Sequence, residues 1–255
     1  MKIATWNVNS LKVRLPHVLD WLAGQQPDVL ALQETKTVDE AFPLEALRAA
    51  GYHCLYAGQK TYNGVALLTR VPGEDPVTDP PGVDDPERRI LAATVSGVRV
   101  INLYVVNGSE VGSDKYARKL DWLARVTDFV KLELARHDQV VVLGDFNIAP
   151  EDRDVHDPAA WHERILCSTP ERAALRTMLD LGLEDVFRRF EQPEAAFSWW
   201  DYRAAGFRRN RGLRIDLILA SPALAERCLS SEIDPEPRRL ERPSDHAPVL
   251  ACFDL

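Results

Sequence analysis

Asp145 and Asn147 stand two residues apart at the end of an apolar run, VVVLGDFNIAP, Val140 to Pro150. In an extended chain, side chains at i and i+2 leave from one face, roughly 7 Å apart. An acid and an amide would therefore share one volume at the open end of a buried strand. The pattern recurs along the chain. Asn7 ends KIATWN, Glu34 follows DVLALQ, and Tyr104 ends VRVINLY. Asp216 interrupts LRIDLILA, and Asp245 and His246 precede APVLACFDL. In layered α/β folds the ends of strands are where sites are built. Each residue also has a structural reading by itself: a turn for Asn7, a solvated loop acid for Glu34, a core aromatic for Tyr104, a loop pair for Asp245 and His246. Asp216 resists such a reading, because a carboxylate between Ile215 and Leu217 is costly to bury without a partner. Together, carboxylates, amides, a histidine and a tyrosine at successive strand ends argue against coincidence.

The residue types narrow the chemistry. Carboxylates and amides, without thiols or clustered histidines, suit a hard cation such as Mg²⁺ or Mn²⁺. No His-x-x-x-His, phosphate-loop or G-x-S-x-G pattern occurs, which disfavours a zinc hydrolase, a P-loop NTPase and a serine esterase of the α/β-hydrolase type. A cation with an acid, a histidine and amide donors fits phosphoester hydrolysis. The metal neutralises phosphate charge, a carboxylate activates water, and neutral donors hold phosphate oxygens. A second stretch, WWDYRAAGFRRNRGLR, interleaves Arg203, Arg208, Arg209, Arg211 and Arg214 with Trp199, Trp200, Tyr202 and Phe207. It reads either as a solvated basic loop with core aromatics or as phosphate-backbone contacts beside a stacking ring. Lys12, Arg14, Arg88, Arg89, Lys115, Arg118 and Lys119 are candidates to extend such a face.

The elements that must position these groups follow from periodicity. Lys2 to Val8, Asp28 to Leu32, Tyr52 to Tyr56, Val65 to Thr69, Val140 to Leu143, Phe197 to Trp200 and Leu213 to Ala220 read as strands, as does APVLACFDL. Helices are expected over Val13 to Leu22, Pro43 to Ala50, Tyr116 to Leu134 and Glu171 to Leu181. Ser96-Gly97 marks a hairpin turn between two strands. The proline-rich residues 71–87 read as a loop, as do 150–170 and 232–245. DVLALQE and VVVLGDFN echo one another, each after a helix and each ending in polar groups, too weakly for a sequence repeat. The mix predicts one α/β domain over residues 1–255, with two packed sheets covered by helices.

Composition is that of an ordinary folded chain: 255 residues, 45% hydrophobic and 27% charged, with a net charge of −8. That charge argues mildly against nucleic acid, but a cluster of acids at a metal site can hide a basic face elsewhere. Cys54, Cys167, Cys228 and Cys252 form no C-x-x-C pair and are expected as free buried thiols in a reducing compartment. No secretory h-region and no apolar run of membrane-spanning length is visible, so a cytoplasmic location without membrane attachment is expected.

In order along the chain, WNVNSLKVR, LQETK, GQKTYNGVALLTR, GDFNIAP, FSWWDYR, NRGLRIDLILAS and ERPSDHAPV resemble the exonuclease III family of DNA-repair nucleases. These belong to the endonuclease/exonuclease/phosphatase superfamily. GDFN alone recurs across that superfamily; the ordered set, with FSW-x-DYR and NRGLRID, points to the exonuclease III branch. The resemblance implies a four-layer α/β sandwich, two mixed sheets packed face to face and flanked by helices. It implies Mg²⁺ held by Glu34 with Asn7 and Asp245, and Asp145 orienting or deprotonating water. Asn147 would donate to the phosphate, Asp216 would pair with His246 on a phosphate oxygen, and Tyr104 would contact phosphate or leaving group. Trp199 would pack on a deoxyribose, with Arg203, Arg208, Arg209 and Arg211 beside the DNA. The implied substrate is duplex DNA with 3′ ends, nicks or abasic sites, handled by a monomer.

Two departures stand out. The family usually follows its tyrosine with Pro-Asn-Gly or Pro-Gln-Gly, where this chain has Val105-Val106-Asn107-Gly108. Many members read A-G-F-T-x-E-E-R where this chain has ILCSTPER, which puts Leu166 at the glycine and Cys167 at the phenylalanine. A leucine adds bulk where glycine allows close approach. The expected activity is therefore 3′→5′ exonuclease and 3′-phosphatase, with incision at internal abasic sites weakened. The alternatives are abasic-site incision as the main activity, a phosphatase of small or lipid phosphates, and a non-catalytic DNA-binding module that has kept the fold.

Overall fold

KIATWN and VLALQ have no solvated face: from Ile3 to Asn7 and from Val29 to Gln33 every residue is buried. Strands covered on both sides suit parallel pairing with a helical crossover. The computed structural model, which describes residues 1–255, shows this. β1 (Lys2–Asn7) runs parallel to β2 (Val29–Gln33), from Ile3 opposite Val29 to Asn7 opposite Gln33, and α1 (Leu11–Gln25) joins them. The chain continues through α2 (Leu44–Ala49), β3 (His53–Ala57), β4 (Val65–Thr69), β5 (Glu74–Val77), β6 (Ile90–Val95), β7 (Val98–Tyr104), α3 (Asp114–Leu134) and β8 (Val140–Asp145). Then follow α4 (Pro158–Trp161), α5 (Thr169–Leu179), β9 (Glu184–Asp185), β10 (Trp199–Trp200), β11 (Gly212–Leu213), β12 (Asp216–Ala220), α6 (Pro222–Ala225), β13 (Cys228–Ile233) and β14 (Val249–Phe253).

The strands form two mixed six-stranded sheets, ordered β13-β14-β1-β2-β4-β3 and β5-β6-β7-β8-β12-β9, with β10 and β11 as a separate ribbon. One apolar cluster lies between the sheets, around Ile3, Ala31, Leu67, Val100, Leu143 and Ile218. A second joins the β7/β8 sheet to α3 and α5 through Trp122, Phe129, Val130 and Met178. A third joins the β1/β2 sheet to α1 and α2 through Trp21, Leu22 and Leu47. The result is the expected helix–sheet–sheet–helix sandwich. A polar link crosses the middle: Gln33 Nε2 donates to Asn102 Oδ1 (2.8 Å), and Asn102 Nδ2 donates to the Leu32 and Ala66 carbonyls (3.0 Å each). All of it is buried, so it holds the sheets in one register.

Several boundaries follow local chemistry. Ser96 (φ 50°) and Gly97 (φ 81°) make the two-residue turn joining β6 to β7, the left-handed pair such hairpins need. Ser168 and Glu171 form a capping box that starts α5 at Thr169, before the expected Glu171. Three strands escaped the periodicity. β5 lies in the proline-rich stretch 71–87 and carries Pro76, tolerated on a sheet edge. β13, also an edge, is largely solvated and has no apolar face to read. β9 has two residues. Of the four thiols only Cys167 is buried; Cys54, Cys228 and Cys252 are half-buried, and all are free. No helix is long and apolar enough to cross a membrane.

Candidate active site

The ends of both parallel pairs open on one side of the sandwich. In β8, Gly144 has φ 142°, and a Cβ there would sit 1.9 Å from the Leu103 carbonyl oxygen of β7. Glycine thus lets β8 close onto β7 and brings Asp145 opposite Tyr104 on one side and Asp216 of β12 on the other. Across the sheet interface, Asn7 Nδ2 donates to both Asp145 Oδ2 and Glu34 Oε1, at 2.9 Å each. One amide therefore bridges carboxylates from the two sheets. Glu34, Asp145 and His246 offer ligand atoms all within 4.8 Å of one another.

The electrostatics of these groups differ. Asp145 is 1% exposed. Burial, with Asp216 and Glu34 nearby, outweighs His246 and the Asn7 amide and pushes its carboxyl up to about 7. Burial works against the charged form of His246, but Asp216 and Asp145 overcome it and raise the imidazole to about 10. Its Nδ1 is 2.9 Å from Asp216 Oδ2, which also accepts from the Ser198 hydroxyl at 2.6 Å. Nε2 is left facing Asp145 Oδ2 at 3.7 Å. For Glu34, burial raises the carboxyl, but Lys36 at 2.8 Å and the Asn7 amide win and hold it below its ordinary value. Burial raises the Tyr104 phenol well above its usual range, with Glu34 and Asp145 adding to it. Arg89 stacks 4.7 Å over that ring.

Asn147 sits at φ 48°. Its backbone N–H donates to Asp145 Oδ1 (2.9 Å), its Nδ2 to the Val105 carbonyl (3.0 Å), and its Oδ1 accepts from Asn107 Nδ2 (3.0 Å). Asp245, expected beside the metal, lies outside the three-residue cluster. It accepts from Trp199 Nε1 (3.0 Å) and Asn9 Nδ2 (2.9 Å), so it holds the indole in place. Asn7, expected as a ligand, turns N–H groups to the acids, while its Oδ1 accepts from the Asn9 N–H at 3.0 Å.

The basic stretch divides. Arg208, Arg209 and Arg211 are exposed, and Arg203 is exposed but paired with Asp201 at 2.7 Å. Arg214 is buried against Asp154 (2.6 Å) and Asp185 (2.7 Å) and presents no basic surface. Lys119, a candidate for the same face, is fully buried against Glu171. Arg88 pairs with Asp79, Arg118 with Asp85 and Glu87, and Arg89 is spent on Glu87 and Tyr104.

Leu166, aligned with the family's glycine, has φ 72° and is 5% exposed. It occupies a glycine-type backbone conformation with a side chain attached. Its cluster contains Ala149, Val155, Cys167, Leu213 and Ile215, with Trp161, Ile165 and Trp199 packed against it. Sequence reasoning missed the supporting set of Asn9, Lys36, Asn107, Ser198 and Ser244, the last of which bonds the Asn7 carbonyl at 2.6 Å. Asn9, Lys36, Ser198 and Ser244 lay inside the quoted motifs and Asn107 inside the quoted departure after Tyr104, which was their only signal.

The model of the endonuclease/exonuclease/phosphatase family matches residues 4–246. The chain is 40% identical over 271 aligned positions to exodeoxyribonuclease III of Haemophilus influenzae, covering 99% of this chain and 100% of that one. Among solved structures, the 3′ phosphatase NExo from Neisseria, bound to a product DNA hairpin, superposes with a TM-score of 0.98 at 53% identity, with both chains fully covered. An AP endonuclease from Archaeoglobus fulgidus gives 0.96 at 39% identity, again over both full chains. With this sheet order and these strand ends, the chain belongs to the endonuclease/exonuclease/phosphatase family, on its exonuclease III branch of hydrolytic nucleases.

Proposed function

We propose that residues 1–255 form one catalytic domain, a Mg²⁺-dependent DNA-repair phosphodiesterase. It works at 3′ ends and nicks of duplex DNA as a 3′→5′ exonuclease and 3′-phosphatase. The observation that carries the reading is the pair of carboxylates, Glu34 and Asp145, bridged by Asn7 and driven in opposite directions by their surroundings. Two carboxylates with separated proton affinities can divide cation binding from proton transfer.

The donor set fits a divalent cation. Oxygen ligands from Glu34 and Asp145 lie close together, no thiol is present, and the exposed side of Glu34 leaves an entry path. Glu34 would hold the ion, joined by Asn7 once its amide turns, with Asp145 beside it. When bound, the cation supplies charge neutralisation on the phosphate; Mn²⁺ meets the same oxygen set. Asp145 accepts the proton of the attacking water. His246, kept protonated by Asp216, directs its Nε2 to a phosphate oxygen. Asn147 donates to a second oxygen when its amide leaves the Val105 carbonyl, and Tyr104 supplies a neutral hydroxyl. Trp199, braced by Asp245, offers its face to the terminal deoxyribose. Arg203, Arg208, Arg209 and Arg211 supply backbone contacts along the duplex.

Leu166 supports end processing over internal incision, because its side chain adds bulk to the cluster on which Trp199 packs. The test is one purified protein on two duplexes, one nicked with a 3′-phosphate and one with an internal abasic analogue. Rapid phosphate release and slow incision are expected, and Leu166→Gly raises incision. Incision as fast as phosphate release would overturn the preference. Loss of both activities in EDTA separates an enzyme from a non-catalytic DNA-binding module. Competition by duplex DNA separates it from a phosphatase of small substrates.

A further inference from the structure

Lys119 of α3 and Glu171 of α5 are each 0% exposed and lie 2.5 Å apart. Besides Glu171 Oε1, the ammonium donates to the Asn147 carbonyl (2.7 Å) and the Asn107 carbonyl (3.2 Å). Glu171 Oε1 also accepts the Leu166 N–H (3.1 Å), and Oε2 accepts the Ser168 N–H (3.1 Å) and hydroxyl (2.6 Å). Apart from the bond between them, these hydrogen bonds all land on three loops at the open end of the sandwich: 105–108, 146–149 and 165–168. Asn147 and Leu166 both carry positive φ, a conformation non-glycine residues hold only when their surroundings impose it. The pair meets both of them through the backbone. Filling the space between α3 and α5 does not require charge, since an apolar pair of similar volume removes the desolvation cost. What an apolar pair lacks is the hydrogen bonds to the loops.

We propose that the buried Lys119–Glu171 pair is a positioning device: it sets where Asn147 meets the phosphate and how far Leu166 stands into the sugar site, and so acts on both rate and substrate preference. This rests on the nuclease reading above. Neither residue touches substrate, and both act through the loops they hold.

The test uses the full chain carrying Lys119→Met with Glu171→Gln. This removes both charges and keeps a capping partner for Ser168, because glutamine serves at that position. Assays are run equally far below each variant's own melting temperature. On the nicked 3′-phosphate duplex, kcat is expected to fall at least tenfold with KM within threefold. Incision at the internal abasic analogue, relative to phosphate release, rises as Leu166 is freed. Lys119→Arg, which keeps charge and donors, recovers most of the rate. An unchanged kcat in the folded double variant overturns the inference, as does a loss that disappears under the temperature matching. If the double variant does not fold, Glu171→Gln alone is judged by the same tenfold criterion. A wild-type protein inactive on both duplexes would instead sink the nuclease reading.

Discussion

The two sheets share one construction and put it to different uses. In the first, β14-β1-β2-β4 surrounds a parallel pair crossed by α1; in the second, β6-β7-β8-β12 surrounds a parallel pair crossed by α3. The outer neighbours run antiparallel in both. Each unit ends in an acid, Glu34 just past β2 and Asp145 at the last residue of β8. Glu34 retains 18% side-chain exposure beside Lys36, and its carboxyl is held low. Asp145 is sealed between β7 and β12 by the closure that Gly144 allows, and its carboxyl is driven up. The same motif at two depths thus makes one acid suited to holding a cation and one suited to taking a proton. Depth, not residue type, sets their proton affinities apart.

Substitutions can break this contrast. Asp145→Asn removes the proposed proton acceptor and is expected to cost about 10²–10⁴-fold in turnover, with duplex DNA binding largely kept in an equilibrium titration. A collapse of binding as well would make Asp145 chiefly a structural or metal-holding group. Glu34→Ala is expected to weaken metal affinity by at least about 10–100-fold, the loss typical of removing a mere outer-shell partner. Its activity recovers as Mg²⁺ is raised, whereas that of Asp145→Asn does not. If both recover, or neither does, the division between the halves fails. Asp216→Asn leaves His246 without its buried counter-charge, so turnover falls by roughly 10²-fold. The effect would be seen in kcat on the nicked duplex, with the metal titration midpoint unchanged.

A smaller effect probes what holds the halves together. Asn102→Leu removes the inter-sheet link, its bonds to the Leu32 and Ala66 carbonyls and the acceptor of the buried Gln33 amide. Stability is expected to drop by about 1–3 kcal/mol, read as a melting temperature lower by roughly 2–4 °C for each kcal/mol. A variant as stable as the wild type would show that apolar packing alone sets the register.

How far the sequence could be read depended on the kind of signal. The buried parallel strands were legible because both faces are covered, leaving unbroken apolar runs such as Val140 to Leu143. Ser96-Gly97 was legible because few residues tolerate its backbone. β5 and β13 were not, since a solvated edge strand needs no apolar alternation. At the site, residue type and position at strand ends brought Asn7, Glu34, Tyr104, Asp145, Asn147, Asp216, Asp245 and His246 forward as one group, and the structure links all of these but Asp245 around Asp145. Asp245 was expected beside the metal on the family resemblance; its side chain bonds Trp199 and Asn9. Lys119 and Arg214 were read as surface charge, because a basic side chain looks the same in sequence whether solvated or matched to a buried acid.

The sequence by itself determined the strand ends, the chemistry of the groups placed there and the family to which they belong, because these rest on local periodicity and residue type. Only the tertiary structure decided which acid is buried, which basic residues are spent on ion pairs, and that Leu166 occupies a glycine's backbone conformation beside the site. Burial and pairing are set by residues distant in the chain, Asp216 against His246 and Glu171 against Lys119, and no local pattern encodes a partner that lies fifty residues away or on the other sheet.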